Sequence, residues 1–209
     1  IYSTPKFKEK ARDILNKEEF FLRDHVVGDK SVLPGVGYLE MSLAAGNLAN
    51  PRSAVKKIKN IIWSQPIVVD NEMVSFISLK PKNSQTVHYE IKTDKGIHSQ
   101  GILIYQNDDS DDQGVIEYTV LPIKEIEARC QGEIFKEEIY QRFKDVGLIY
   151  GSTFQSIEWI KVNKNESISK IKIHPELRNQ FEEFILHPSL MDGALQTIIG
   201  ISFSDEINN

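Results

Sequence analysis

The chain of 209 residues has one cysteine, Cys130, so no disulfide can form within it. That excludes a small secreted fold stapled by bridges and leads to the expectation of a reducing, cytoplasmic setting. Excess basic charge is absent too. Twenty-five lysines and arginines stand against 30 aspartates and glutamates, for a net charge of −5. A nucleic-acid surface needs a basic stripe, and the densest basic run here, KKIK, is interleaved with acids nearby. No apolar run approaches the ~20 residues that span a bilayer, and no signal-peptide pattern is present. Metal-ligand spacing of the H-x-x-x-H type is missing, as is the nucleophile elbow of serine acyl chemistry. No initiator methionine precedes IYSTPKFKEK, which is expected of a segment from a longer protein. Cys130, in EARCQGEIF near the start of a predicted helix, is read as structural.

What is present fits a folded globular protein. The chain is 40% hydrophobic and 26% charged, enough for one large domain or two small ones. Residues 36–49, VGYLEMSLAAGNLA, read as a helix with Pro51 beyond its end. Leu39, Leu43 and Ala44 share one face, while Tyr38, Met41, Ala45 and Leu48 fill the others, so this helix is expected to be buried on most sides. Strand signals follow at 58–69, 73–80, 86–93 and 97–106, with the last pair joined as a hairpin through Asp94, Lys95 and Gly96. The acidic stretch NDDSDDQG, residues 107–114, reads as an exposed linker between segments 1–106 and 115–209. Beyond it, 133–147 reads as an amphipathic helix on Phe135, Ile139 and Phe143, stopped by Gly147. Strands are expected at 154–162 and 167–173, then a largely apolar helix at 185–201. The pattern is α+β. Each half presents an apolar helix introduced by a short His/Pro loop, which points to a weak internal duplication with two sheets, each wrapped around a helix.

Two features carry polar groups where packing does not need them. Asp192 and Gln196 are spaced i, i+4 and so share a helix face. They are either an exposed surface contact or a buried acid with an orienting amide, because a buried carboxylate is costly unless something uses it. His25, in DHVVGDKSVLPG, is either an ordinary loop histidine or a base at the mouth of the first helix. His88, His98 and His174 are given no role.

Three motifs in order resemble the dehydratase domain of modular polyketide synthases, a double-hotdog family. The first is HVVGDKSVLP, from His25 to Pro34, like H-x-x-x-G-x-x-x-x-P. YGSTF, from Tyr150 to Phe154, is like Y-G-P-x-F, and HPSLMDGALQ, from His187 to Gln196, is like H-P-x-L-x-D-x-x-x-Q. The flanks LPGVGYLEMSLAAG and VGLIYGSTFQ match as well. The resemblance implies a double hotdog whose second half is incomplete at its C-terminal side. It implies His25 as general base and Asp192 as general acid, facing each other across an acyl channel. Tyr150 would line that channel and Gln196 would hold the aspartate. Gly28, Pro34 and Gly35 would help bind substrate, with backbone N–H groups in the Gly28 turn or at the start of the first helix receiving the thioester carbonyl. The reaction implied is loss of water from a β-hydroxyacyl chain on a phosphopantetheinylated acyl carrier protein. The phosphopantetheine belongs to that partner, so the domain would need no cofactor or metal of its own. Neighbouring synthase domains and a second copy of the chain are the other partners implied.

The sequence departs from the family pattern at Asp29, where a glycine is usual and Gly28 comes one place early, and at Ser152, where a proline is usual. The family domain continues for several strands past the helix that bears the aspartate, so one side of the 188–200 helix is expected to be exposed. Double-bond-shifting isomerases and pyran-forming cyclases share the fold. Pro34 and Asp192 favour dehydration over these, and retention of both His25 and Asp192 argues against a non-catalytic hotdog that only binds acyl carriers.

Overall fold

A computed structural model describes residues 13–105 and 120–202. The predicted linker at 107–114 lies outside the described residues. In chain order the elements begin with β1 (Asp13–Asn16), α1 (Phe20–Arg23), β2 (His25–Val27), β3 (Lys30–Ser31) and α2 (Gly35–Ala49). Then come β4 (Val55–Trp63), β5 (Glu72–Pro81), β6 (Thr86–Thr93) and β7 (Gly96–Tyr105). The second part comprises α3 (Ile123–Arg129), β8 (Gly132–Phe135), α4 (Lys136–Asp145), β9 (Leu148–Tyr150), β10 (Ile157–Val162), β11 (Ser167–Ile171) and α5 (Pro188–Gln196). Among the described residues no single helix is long and apolar enough to cross a membrane.

The larger sheet is antiparallel, in the order β1-β5-β6-β7-β4, and α2 packs against it. Val36, Tyr38, Met41, Ala44 and Ala45 of α2 are all buried, as an all-round apolar helix requires. A second antiparallel sheet, β11-β10-β8, has its own core with α4, built on Ile134, Ile139, Phe143 and Ile160. α5 packs on β11 and on α2, so the two principal helices meet. The α+β architecture of two sheets, each with its helices, is thus present.

A third, small sheet was not foreseen. Its order is β3-β2-β9, and β2 pairs antiparallel with β9 from the second half of the chain. This sheet joins the halves at His25.

Several boundaries differ from the sequence reading. The strand expected at 58–69 stops at Trp63, because Pro66 has no N–H for a ladder. The following residues turn inward, where Ile67 and Val69 are buried and pair with the segment just before α2. The helix expected at 133–147 begins only at Lys136; Gly132–Phe135 is a strand on β10, and Phe135 faces outward. Ser152–Phe154 is a 3-10 turn rather than the start of a strand. Cys130 does not open a helix but follows the end of α3. Its thiol is buried, which raises its pKa and keeps it an inert core group. The final helix starts at Pro188; its outward Leu195 is 58% exposed, and Ile198 just beyond its end is 71% exposed.

Candidate active site

His25 is the first residue of β2 and lies opposite Tyr150 of β9. The residue before it holds this register. Asp24 accepts the Gly151 N–H on its backbone carbonyl at 2.9 Å. Its buried carboxylate accepts the Thr153 N–H at 3.1 Å and the Thr153 hydroxyl at 2.6 Å, and Arg23 grips both oxygens from outside at 2.9 and 3.2 Å. Burial alone would raise the Asp24 pKa, but Arg23 and Thr153 outweigh it and hold it below the usual carboxylate range. An ionised Asp24 therefore fixes the YGSTF turn beside His25.

The histidine is held at one nitrogen. His25 Nδ1 lies 2.7 Å from the Val32 carbonyl. A carbonyl can only accept, so Nδ1 carries the hydrogen, and in the neutral ring the lone pair lies on Nε2. The ring meets Tyr150 and Phe154 edge to face, with centroids 5.6 and 5.7 Å away. It also lines a cavity of ≈ 380 Å³ with Leu33, Gly35, Tyr38, Trp63 and Pro66.

Asp192 reaches the same region from α5. Pro188 suits the first turn of this helix, where its missing N–H costs nothing. The His187 carbonyl accepts the N–H groups of Leu190 and Met191, while its ring is stacked between Phe20 and Phe181 with Phe184 on edge. The Ser189 hydroxyl donates to the Thr153 carbonyl, and the Ser156 hydroxyl donates to the Ser189 carbonyl at 3.1 Å. A Cβ at Gly193 would sit 2.1 Å from Ser156 Oγ, so only glycine allows this approach. The helix is thereby clamped onto the turn that Asp24 holds.

Asp192 is 7% exposed. Gln196 donates from Nε2 to Asp192 Oδ2 at 2.8 Å and accepts the Tyr140 hydroxyl on Oε1 at 3.0 Å. Burial raises the Asp192 pKa, and the charge of His25 and hydrogen bonds from Gln196 and Tyr150 reduce that rise without cancelling it. The Tyr150 hydroxyl is also pushed up, first by burial and then by the nearby Asp192 charge, so it stays protonated. An imidazole held through Nδ1 and a carboxyl inclined to keep its proton thus share one buried site.

Residues 8–94 match the family described as "polyketide synthase dehydratase domain", and residues 121–209 match "polyketide synthase dehydratase N-terminal domain". Polyketide synthase PksN of Bacillus subtilis is 34% identical over 197 residues, which is 89% of this chain but 4% of that protein. PksM of the same organism is 31% identical over 204 residues, 94% of this chain and 5% of that one. The chain therefore spans only a small part of the curated relatives it matches. A crystal structure of a trans-AT polyketide synthase dehydratase domain from Brevibacillus brevis superimposes with a TM-score of 0.82 at 30% identity, covering 91% of this chain and 69% of that one. The chain belongs to the polyketide synthase dehydratases. The dehydratase domain from the CurF module of curacin synthase shares its double-hotdog fold, with a TM-score of 0.79 at 22% identity.

Within this dehydratase domain His25, Tyr150, Asp192 and Gln196 come together. Gly35 lines the cavity beside His25, and Pro34 caps the start of α2 in extended backbone. Gly28 does not join them. It lies in the exposed two-residue turn between β2 and β3, and its N–H is bonded to the Gly147 carbonyl at 2.7 Å. Its N–H is therefore engaged within the fold and not open to a thioester carbonyl. Gly28 adopts φ +65°, the first position of a tight hairpin that favours glycine. Asp29 is not among the described residues with positive φ, so the family's shifted glycine leaves no strain there.

The dehydratase site also rests on residues that motif reading passed over. Asp24 and Thr153 set the register, and Tyr140 backs Gln196. Glu40, 1% exposed on α2, accepts the N–H groups of Ile185 and Leu186 at 3.0 and 2.6 Å and fixes the approach to α5. A carboxylate inside an otherwise apolar helix was the available signal for Glu40. Among the described residues no cluster of three His, Cys, Asp or Glu is set to hold a metal ion.

Proposed function

We propose that this domain removes water from a β-hydroxyacyl thioester carried on an acyl carrier protein, giving the α,β-unsaturated thioester. His25 Nε2 takes the α-proton. The Asp192 carboxyl gives its proton to the β-hydroxyl, which departs as water as the C–C double bond forms. One observation carries the reading. The imidazole is held through Nδ1, which leaves Nε2 to act as the base, and the Asp192 carboxyl near it is buried and inclined to stay protonated. Acid and base are thus prepared in opposite states at one site, which an elimination needs.

As the α-proton leaves, charge grows on the thioester oxygen and needs donors. The Gly37 N–H is bonded to the Pro34 carbonyl, so the Gly35 and Val36 amides at the first turn of α2 are the donors proposed. Tyr150 and Gln196 line the acid side. The phosphopantetheine is part of the carrier protein, and neighbouring synthase domains, a second copy of the chain and a cytoplasmic setting belong to the same reading. In it, segments 1–106 and 115–209 are the two hotdogs, with 107–114 linking them; the first supplies the base and the second the acid.

The test is turnover of a 3-hydroxyacyl pantetheine or carrier-protein thioester, followed by mass spectrometry. Loss of water is expected from the unaltered domain and not from His25→Ala or Asp192→Asn. Full turnover in either variant would remove the assignment.

A further inference from the structure

The Gln196 amide sits between two groups that dictate which way round it lies. The Ile157 N–H can only donate, and it meets the Tyr140 oxygen at 3.0 Å. That oxygen accepts there and keeps its own hydrogen for another partner. Gln196 Oε1 lies 3.0 Å away, closer than the Phe154 carbonyl at 3.4 Å. A donating hydroxyl needs an acceptor, and the amide oxygen facing it is the nearer of the two. The amide nitrogen then faces Asp192 Oδ2 at 2.8 Å and the Phe154 carbonyl at 3.4 Å, both of them acceptors. Every link points the same way, from the backbone of β10 to the carboxyl.

We propose that Tyr140 is a positioning residue that keeps the Gln196 nitrogen on Asp192 Oδ2. An oxygen that accepts an N–H is the poorer site for a proton, so this bond tempers the rise that burial causes. Were the amide reversed, Gln196 Oε1 would face Asp192 and hold its proton. The use of that proton rests on the dehydration proposed above; the orientation of the amide does not. Among the described residues the titratable groups acting on Asp192 are His25 from β2 and Tyr150 from β9, with Tyr140 of α4 behind Gln196. None from α2 or β11 does so.

The experiment follows the Asp192 carboxyl by carbon-13 NMR across pH in the whole chain without substrate, using Asp192→Asn to assign the signal. In Tyr140→Phe the midpoint is expected to move up by about one pH unit. With substrate, kcat should fall about tenfold while KM changes little. Placing 3-fluorotyrosine at position 140 keeps the packing and strengthens the donor, so the midpoint should move down. In a Gln196→Ala background, Tyr140→Phe should add no further shift. An unmoved midpoint in Tyr140→Phe, or a full additional shift in the Gln196→Ala background, overturns the proposal. If Tyr140→Phe does not fold, the fluorotyrosine protein decides, and an unmoved midpoint there overturns it too. Failure of the unaltered domain to turn over substrate would count against dehydration alone, because the titration is read without substrate.

Discussion

Glu40 on α2 and Asp192 on α5 are buried carboxylates on the two principal helices, and burial raises the pKa of both. Their surroundings then diverge. Glu40 presents each oxygen to a backbone N–H that cannot move away, from Ile185 and Leu186. It fastens the chain just before α5. Asp192 takes its hydrogen bonds from the side chains of Gln196 and Tyr150, with His25 nearby. Burial favours the protonated form in both cases. The arrangement of donors decides whether that proton can be given away.

The widest gap between the two should appear on neutralising each. Asp192→Asn is expected to lower turnover by about 10²–10⁴-fold, the usual worth of a positioned acid. Its fold should be no less stable at neutral pH. The sign follows from the raised pKa. Between the ordinary carboxylate pKa and the raised folded one, the native state keeps a proton that the unfolded state has shed. Asp192 therefore lowers stability as pH rises through that window, and the variant lacks this slope. Denaturant unfolding at several pH values, beside turnover, reads both effects. A marked stability loss in Asp192→Asn at neutral pH would erase the contrast with Glu40.

Glu40→Ala should show the reverse. It leaves two partly buried N–H groups without their acceptor, and a loss of about 2 kcal/mol in denaturant unfolding is expected. Turnover of the folded fraction should fall far less than in Asp192→Asn. A loss of turnover equal to that of Asp192→Asn would mean that Glu40 also takes part in the chemistry.

A third acid sharpens the comparison from the ionised side. Thr153→Val removes the hydroxyl bond to Asp24, for an expected loss of about 1–2 kcal/mol at neutral pH. The Asp24 pKa is depressed, so its contribution is present above the ordinary carboxylate pKa and disappears as pH falls through the folded value. The variant should therefore lose less on acidification than the parent, as measured by unfolding at neutral and acidic pH. The smallest effect is expected from Ser152→Pro. Ser152 is exposed at the first position of a 3-10 turn, and Gly151 before it is extended at φ −73° and ψ 173°, which proline accepts. A gain of about 0.5 kcal/mol with unchanged turnover is expected in the same unfolding assay.

Much of the architecture was legible because hydrophobic period and turn residues agree locally. The 36–49 helix, the 86–93 strand and the hairpin through Gly96 appear with bounds shifted by at most one residue. Failures arose where a non-local partner overrides the local pattern. Glu133, Ile134 and Phe135 extend a helical period, yet β10 recruits them as a strand. His25 to Val27 is too short to read as a strand and becomes one only because β9 pairs with it. The same holds at the site. Motif spacing indicated His25, Asp192, Gln196 and Tyr150. Asp24, Tyr140 and Thr153 look ordinary in sequence, because their meaning lies in partners on distant segments. Nor does the sequence show that the Gly28 N–H is taken by Gly147.

The strand pairing of His25 with Tyr150 also bears on how the molecule is made. Asp24 meets Thr153 across 129 positions, and Glu40 meets Leu186 across 146. The five-stranded sheet, by contrast, contains hairpins such as β6-β7 that close within a few residues. Contacts between near neighbours form early in folding, and those across long stretches wait for the chain to close. His25 and Asp192 therefore become neighbours only when the slowest contacts are in place. In a chain that begins to fold as it leaves the ribosome, assembly of this site would mark the end of folding.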